Sequence, residues 1–286
     1  MWECSCHLLF EDFRFTIYFM NSIPPSIINI LNSKVEQYNH IDFIENDPIS
    51  IPHKFSKKQD IEIAAFFAAT LAWGNRKSII TSCKKLMQIM DNSPYEFVMN
   101  IHSNPNWQKQ IQSFVHRTFN DIDLEHFINF LHYHYIIKQE QSLETAFSKW
   151  LQPNDIDTEN ALNGFYDYFF SENIFDNFQE RTKKHIAAPS KKSACKRLNM
   201  FLRWMVRKDK RGVDFGFWKQ IKPSQLIMPL DVHVINVANH LGLMNNSKAN
   251  WQTAVELTNS LKQLDADDPV KYDYALFSLG VVEGLK

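Results

Sequence analysis

Seven glycines in 286 residues leave this chain few places to turn a tight hairpin. Two-residue β-turns need positions with positive φ, which glycine supplies without steric cost. No segment alternates apolar and polar residues at period two for long enough to read as a strand. Apolar residues, 23 Phe among them, instead recur at helical spacing. The chain is expected to be all-α, with about a dozen helices in two lobes and a cleft between them.

Helix starts and stops are legible in several places. Pro24 and Pro25 lead into a helix near Ser26. Asp60 opens a second helix, reaching Trp73 and carrying Ile61, Ile63, Ala64, Phe66, Phe67 and Leu71. It is apolar on nearly every side, so it should be the buried central helix. Gly74-Asn75 ends it in the manner of a C-terminal cap, and Arg76 opens the next helix, to about Met90. Pro94 and Pro105 punctuate two short helices. Further helices follow from Asp123, from Ser142 to Trp150 and from Thr158 to Phe170. The C-terminal third reads as four: Ser193 to about Lys208, Asp231 to about Leu241, Asn250 to Leu261, and Pro269 to Leu279.

The length suits one large domain with a sizeable core. Residues 20–286 read as that domain, its lobes meeting around 170–195. Residues 1–19 mix Cys4, Cys6, Glu3, Glu11, Asp12 and Arg14 with aromatics, which breaks any signal-peptide core. They read as an over-extended start, with Met20 the biological initiator, or as a short docking arm. No stretch of about eighteen apolar residues is present, so no membrane span is expected. The other two cysteines, Cys83 and Cys195, make no disulfide or iron–sulfur spacing with these. A reducing, cytoplasmic setting follows, and no metal, no cofactor and a monomeric state are expected. P-loop, dinucleotide-binding and Gly-x-Ser-x-Gly signatures are missing. His126, His132 and His134 lack zinc spacing and read as structural. Asp265, Asp267 and Asp268 read as a helix-start cluster.

Net charge is −1, but it is unevenly spread. Between Arg181 and Arg211 stand twelve Lys or Arg against one acid, Asp209, so this stretch carries +11 and the remainder −12. Such asymmetry is the footprint of an anion site. At about 100° per residue, Leu198, Phe201, Leu202 and Met205 share one helix face and Lys196, Arg203 and Arg207 the other. Lys192 stands at the N-terminal edge. Charged stripes are commonly solvated surface. This one has a single sign and no acid one turn away to relieve it, which favours a polyanion partner. The helix N-terminus near Lys191 adds partial positive charge where a phosphate would sit.

A second feature is Pro229-Leu230-Asp231-Val232-His233-Val234. Asp231 stands where an N-cap belongs, and capping alone would explain it.

The C-terminal third resembles an uncharacterised bacterial family, a domain of unknown function. The matching text is Cys195 to Met205, Pro229 to Val234, and Asp268 to Phe277, with the helix at Phe66 to Gly74 fitting as well. A more distant resemblance is to helix-hairpin-helix DNA glycosylases, whose Val-Asp-x-His-[Ile/Val] turn is similar to Leu230-Asp231-Val232-His233-Val234. In those enzymes the Asp is catalytic and caps a helix, and bifunctional members add an upstream lysine that attacks the sugar. Archaeal 8-oxoguanine glycosylases place that lysine at the start of a helix. Lys196, 35 residues before Asp231, is the match. Ala188-Pro189-Ser190 stands in place of the family's Leu-Pro-Gly-Val-Gly hairpin, and Asn236 in place of an arginine five residues after the Asp.

The resemblance implies base-excision chemistry on double-stranded DNA with a flipped nucleotide. Lys196 would be the nucleophile and Asp231 the electrostatic and acid–base residue, with His233 supporting. Lysine attacks only as the neutral amine, which is scarce for a group of pKa about 10.4. Lys192, Arg197 and Arg203 would favour that form as like-charged neighbours. DNA contacts would come from Lys191, Lys192, Arg197, Arg203 and Arg207. The turn Gly74-Asn75-Arg76-Lys77 stands where those enzymes fill the gap left by the flipped base, with Asn75 or Arg76 to do so, against an ordinary capped turn as the equal alternative. Trp73, Trp204, Phe215, Phe217 and Trp218 are the aromatic candidates for stacking, against core burial as the commoner role. Two other readings stand beside this one: a nucleic-acid-binding protein without chemistry, and a helical interaction protein whose basic stripe meets an acidic partner.

Overall fold

The computed structural model describes residues 22–172, 174 and 179–285. The expectation for residues 1–19 therefore lies outside the described residues. The fold is all-α, as the scarcity of glycine and the helical periodicity lead one to expect, with one two-residue hairpin.

Helix α1 (Pro25–Tyr38) starts on a proline at its first position, where the missing N–H costs nothing. Three 3₁₀ turns between Ile41 and Lys54 carry the chain to α2 (Lys58–Thr70). Ten of the thirteen residues of α2 are buried, so it is the central helix expected. Its one buried charge, Glu62, accepts hydrogen bonds from Trp218 Nε1 (2.7 Å), Tyr135 Oη (2.9 Å), Leu143 N (3.2 Å) and Ser142 Oγ. Four donors compensate a carboxylate that would otherwise be costly in the core.

Helices α3 (Arg76–Ile89), α4 (Pro94–Met99) and α5 (Trp107–Ile111) follow. A two-residue antiparallel hairpin, β1 (Val115–His116) and β2 (Phe119–Asn120), then turns on Arg117 at φ 56°. Helix α6 (Asp121–His132) begins with a capping box between Asn120 and Asp123 and runs into a π-turn at Tyr133–Ile137. Helices α7 (Glu144–Ser148) and α8 (Glu159–Phe169) complete the middle of the chain. The C-terminal third holds α9 (Lys196–Val206), α10 (Val232–His240), α11 (Trp251–Lys262) and α12 (Asp273–Val281).

Among the described residues a single apolar cluster runs from Leu31 to Leu279. Helix α2 packs on α9, α3 and α4, while α12 packs on both α1 and α10. Gly280 permits the last contact, because a Cβ there would lie 3.1 Å from Val237 Cγ2. His126, His132 and His134 are core residues, as expected. Their ring nitrogens meet Phe169 O, Val98 O and Ser142 O at 2.9–3.0 Å. No described helix is long and apolar enough to cross a membrane.

Among the helix boundaries that depart from the sequence reading, two lie beside the cavities described below. Helix α2 stops at Thr70 rather than Trp73, and the carbonyl of Thr70 is taken by the Arg197 guanidinium. Helix α9 begins at Lys196, not Ser193. A 3₁₀ turn at Pro189–Lys191 precedes it, and Lys192 (φ 59°) and Cys195 (φ 50°) both take left-handed backbone conformations. Two left-handed residues cannot belong to a right-handed helix, so the chain enters α9 through a tight turn.

Candidate active site

Lys196 is the first residue of α9 and Asp231 is the N-cap of α10. Asp231 Oδ1 accepts from Val234 N at 3.0 Å, which fixes the side chain across the mouth of its own helix. Its other oxygen, Oδ2, faces Lys196 Nζ at 3.6 Å. Both side chains are about a quarter exposed, at 26% and 29%. The two residues picked out by sequence thus meet, and each is placed by a helix start.

The pair borders two cavities. The larger, about 710 Å³, is lined by Trp73, Asn75, Arg76, Arg203, His233, Asp273, Tyr274 and Phe277 as well as by the pair and Arg197. That volume is in the range of small-molecule sites. The smaller, about 380 Å³, adds Thr70, Lys184, Ser193 and Ala249. A group entering either cavity meets the Lys196 amine and the Asp231 carboxylate.

Arg197 is spent on structure. Its guanidinium donates to Thr70 O and to His185 O (3.1 Å), and lies 5.0 Å from the centre of the Trp73 ring. Burial lowers its pKa to about 10. Arg76 lies 4.8 Å from the Phe277 ring, across the larger cavity's rim. Asn75 caps α3, accepting from Lys77 N at 3.0 Å and Ser78 N at 3.4 Å. Its side chain is therefore engaged, although the residue is exposed. Lys77, Lys191 and Lys192 are exposed, and none of the three lines the larger cavity.

The outward cationic stripe expected on α9 does not form. Arg203 and Arg207 are 7% and 3% exposed. Arg203 pairs with Asp273, and its Nε lies 3.4 Å from Asp214. Arg207 meets Asp209 (2.7 Å), Asp268 (2.9 Å) and Asp214 (3.0 Å). Tyr274 Oη donates to Asp214 at 2.8 Å. The correction has a simple cause: nine of the eleven residues of α9 are buried, so its second face packs on α12 and the loops before it. The like-charged company expected for Lys196 is altered in the same way, because the charge of Arg203 is matched by buried carboxylates.

The aromatic candidates divide. Trp204 and Trp218 are core, at 0% and 1% exposure. Phe215 stacks on His53 with ring centres 4.4 Å apart, and Phe217 packs beside Phe215. Of the five, Trp73 and the buried Trp204 line the larger cavity. Phe277, Tyr274 and Asp273 line it too, and sequence reasoning assigns them no role. Their signal is an acidic residue opening a helix with aromatics one and four positions on, a spacing that puts positions 273 and 277 on one face.

A family model described as a protein of unknown function, DUF2400, matches residues 47–282. The chain belongs to that family. No curated protein and no solved structure matches it. The matched span of this DUF2400 chain takes in the smaller cavity, the Lys196–Asp231 pair and the larger cavity's lining apart from Phe43 and Ile44.

Proposed function

We propose that the chain is a base-excision-type DNA repair enzyme, a glycosylase or abasic-site lyase, with Lys196 as nucleophile and Asp231 as its electrostatic partner. The observation that carries this reading is the approach of Lys196 Nζ to Asp231 Oδ2 at 3.6 Å on the wall shared by two cavities. An amine and a carboxylate at the mouth of an aromatic-lined recess suit attack on the sugar of an everted nucleotide. The Nζ lone pair forms a bond to C1′ while the glycosidic bond breaks and the base leaves. The Asp231 carboxylate stabilises the positive charge that develops on the sugar. Lys184, at the smaller cavity, and exposed Lys191 and Lys192 offer charge to the flanking phosphates.

Borohydride trapping on duplexes carrying an abasic site, uracil or 8-oxoguanine tests this. A covalent adduct that disappears in Lys196→Ala is expected. The absence of adduct and of base release, with salt-sensitive binding intact, would replace this reading with a nucleic-acid-binding protein that lacks the chemistry.

A further inference from the structure

Asp273 opens α12 and is only 7% exposed, yet it borders the larger cavity together with Lys196 and Asp231. Charged groups bear on it from each neighbouring element. Arg203 on α9 forms its ion pair. Lys196 attracts its anionic form, while Asp231 and Asp214 repel it. Asp47, Arg76 and His233 border the same cavity, and Tyr274 next in sequence is committed to Asp214. Burial is the largest influence, and it pushes the Asp273 carboxyl up to about 6. Asp231, by contrast, is partly exposed and accepts a backbone N–H. Two carboxyl groups in unlike surroundings on one cavity suit one acid and one standing anion.

The geometry points to Asp273 as a third catalytic group of the site, the acid that protonates the departing base. This rests on the excision reading above. The neutral Lys196 amine forms the C–N bond at C1′, and the glycosidic electron pair passes to the base nitrogen. The Asp273 O–H gives that nitrogen its proton, so the base leaves neutral and Asp273 becomes a carboxylate. Arg203, already paired with it, stabilises the new charge. One proton on the attacking nitrogen passes to the ring oxygen as the sugar opens to the Schiff base, with Asp231 placed to carry it. Trp73 and Phe277, in the same cavity, supply faces for the base.

The test compares two single-turnover rates: base release from duplexes carrying 8-oxoguanine or uracil, and borohydride trapping at a preformed abasic site, where no base departs. In Asp273→Asn, base release should fall about 100-fold, a usual loss for a general acid, while trapping changes by only about threefold or less by the same reasoning. Tyr274→Phe, which perturbs the same buried network without removing the carboxyl, should leave the ratio of the two rates unchanged. Wild-type base release should decline as pH rises above about 6, and this measurement holds even if the variant fails to fold. Equal loss of both activities in Asp273→Asn, or a flat wild-type profile, overturns the proposal. So does a wild type that traps the abasic site but releases neither base. A wild type that does neither removes the excision reading itself, which is a different result.

Discussion

Arg203 and Asp273 form a buried ion pair that ties α9 to α12 on the wall of the cavity holding Lys196. Replacing Arg203 by Met would leave Asp273 without its ion-pair partner, while Asp214 keeps Arg207. Breaking one side of a buried pair costs about 3–5 kcal/mol. Urea unfolding of Arg203→Met should show a loss of that order, and a loss under about 1 kcal/mol, the value of an exposed pair, would contradict the pairing.

On the excision reading Asp231 has two separable jobs. Asp231→Asn retains an N-cap and should unfold within about 0.5 kcal/mol of wild type, whereas Asp231→Ala should lose about 1 kcal/mol. Trapping should fall in both. If the two variants are equally unstable, the cap to Val234 N is not what holds this turn.

Histidines in the core predict an acid limb of stability. Burial lowers His126 and His134 to about 4 from an ordinary 6.5. Between those values the unfolded chain binds more protons than the folded one, so stability rises with pH. Their contribution is complete above about 6.5 and is lost as pH falls toward about 4. Burial raises Asp273, so it runs the other way: its contribution is present below 3.8 and lost as pH rises through about 6. Denaturation midpoints of His134→Gln and wild type, followed from pH 7 to 4 in steps, should converge as the pH falls; parallel curves would exclude this role for His134.

Gly164 on α8 lies under the Trp150 indole, where an added Cβ would sit 2.2 Å from Cγ of the ring. Gly164→Ala should therefore destabilise by about 1–3 kcal/mol through overpacking. Helix propensity alone predicts the opposite sign, a gain of about 1 kcal/mol. Thermal unfolding of this one variant decides which effect dominates.

Local chemistry makes part of the site legible in the sequence. Asp231 reads as an N-cap because capping is written in adjacent residues. Lys196 follows from its place on the basic face of a helix and from the resemblance to glycosylases with a lysine at a helix start. Arg203 and Arg207 mislead for a physical reason. A helical projection sees only the helix's own neighbours, and the acids that neutralise them lie far along the chain: Asp214 in the following loop, Asp268 and Asp273 some sixty to seventy residues on. The same limit hides Asp273 and Phe277, whose importance comes from bordering the cavity beside Lys196. The left-handed turn at Lys192 and Cys195 leaves no sequence mark because neither is glycine, the usual sign of such backbone.

On the excision reading, the carboxylate that faces the amine is also the cap of α10, so the demands of folding and of activity fall on one side chain. Several residues satisfy the first demand without the second. Asn, Ser and Thr keep the cap and discard the charge, and Asn lies a single base change from Asp. A lineage that abandons the chemistry should therefore accumulate Asn at position 231 while its fold persists.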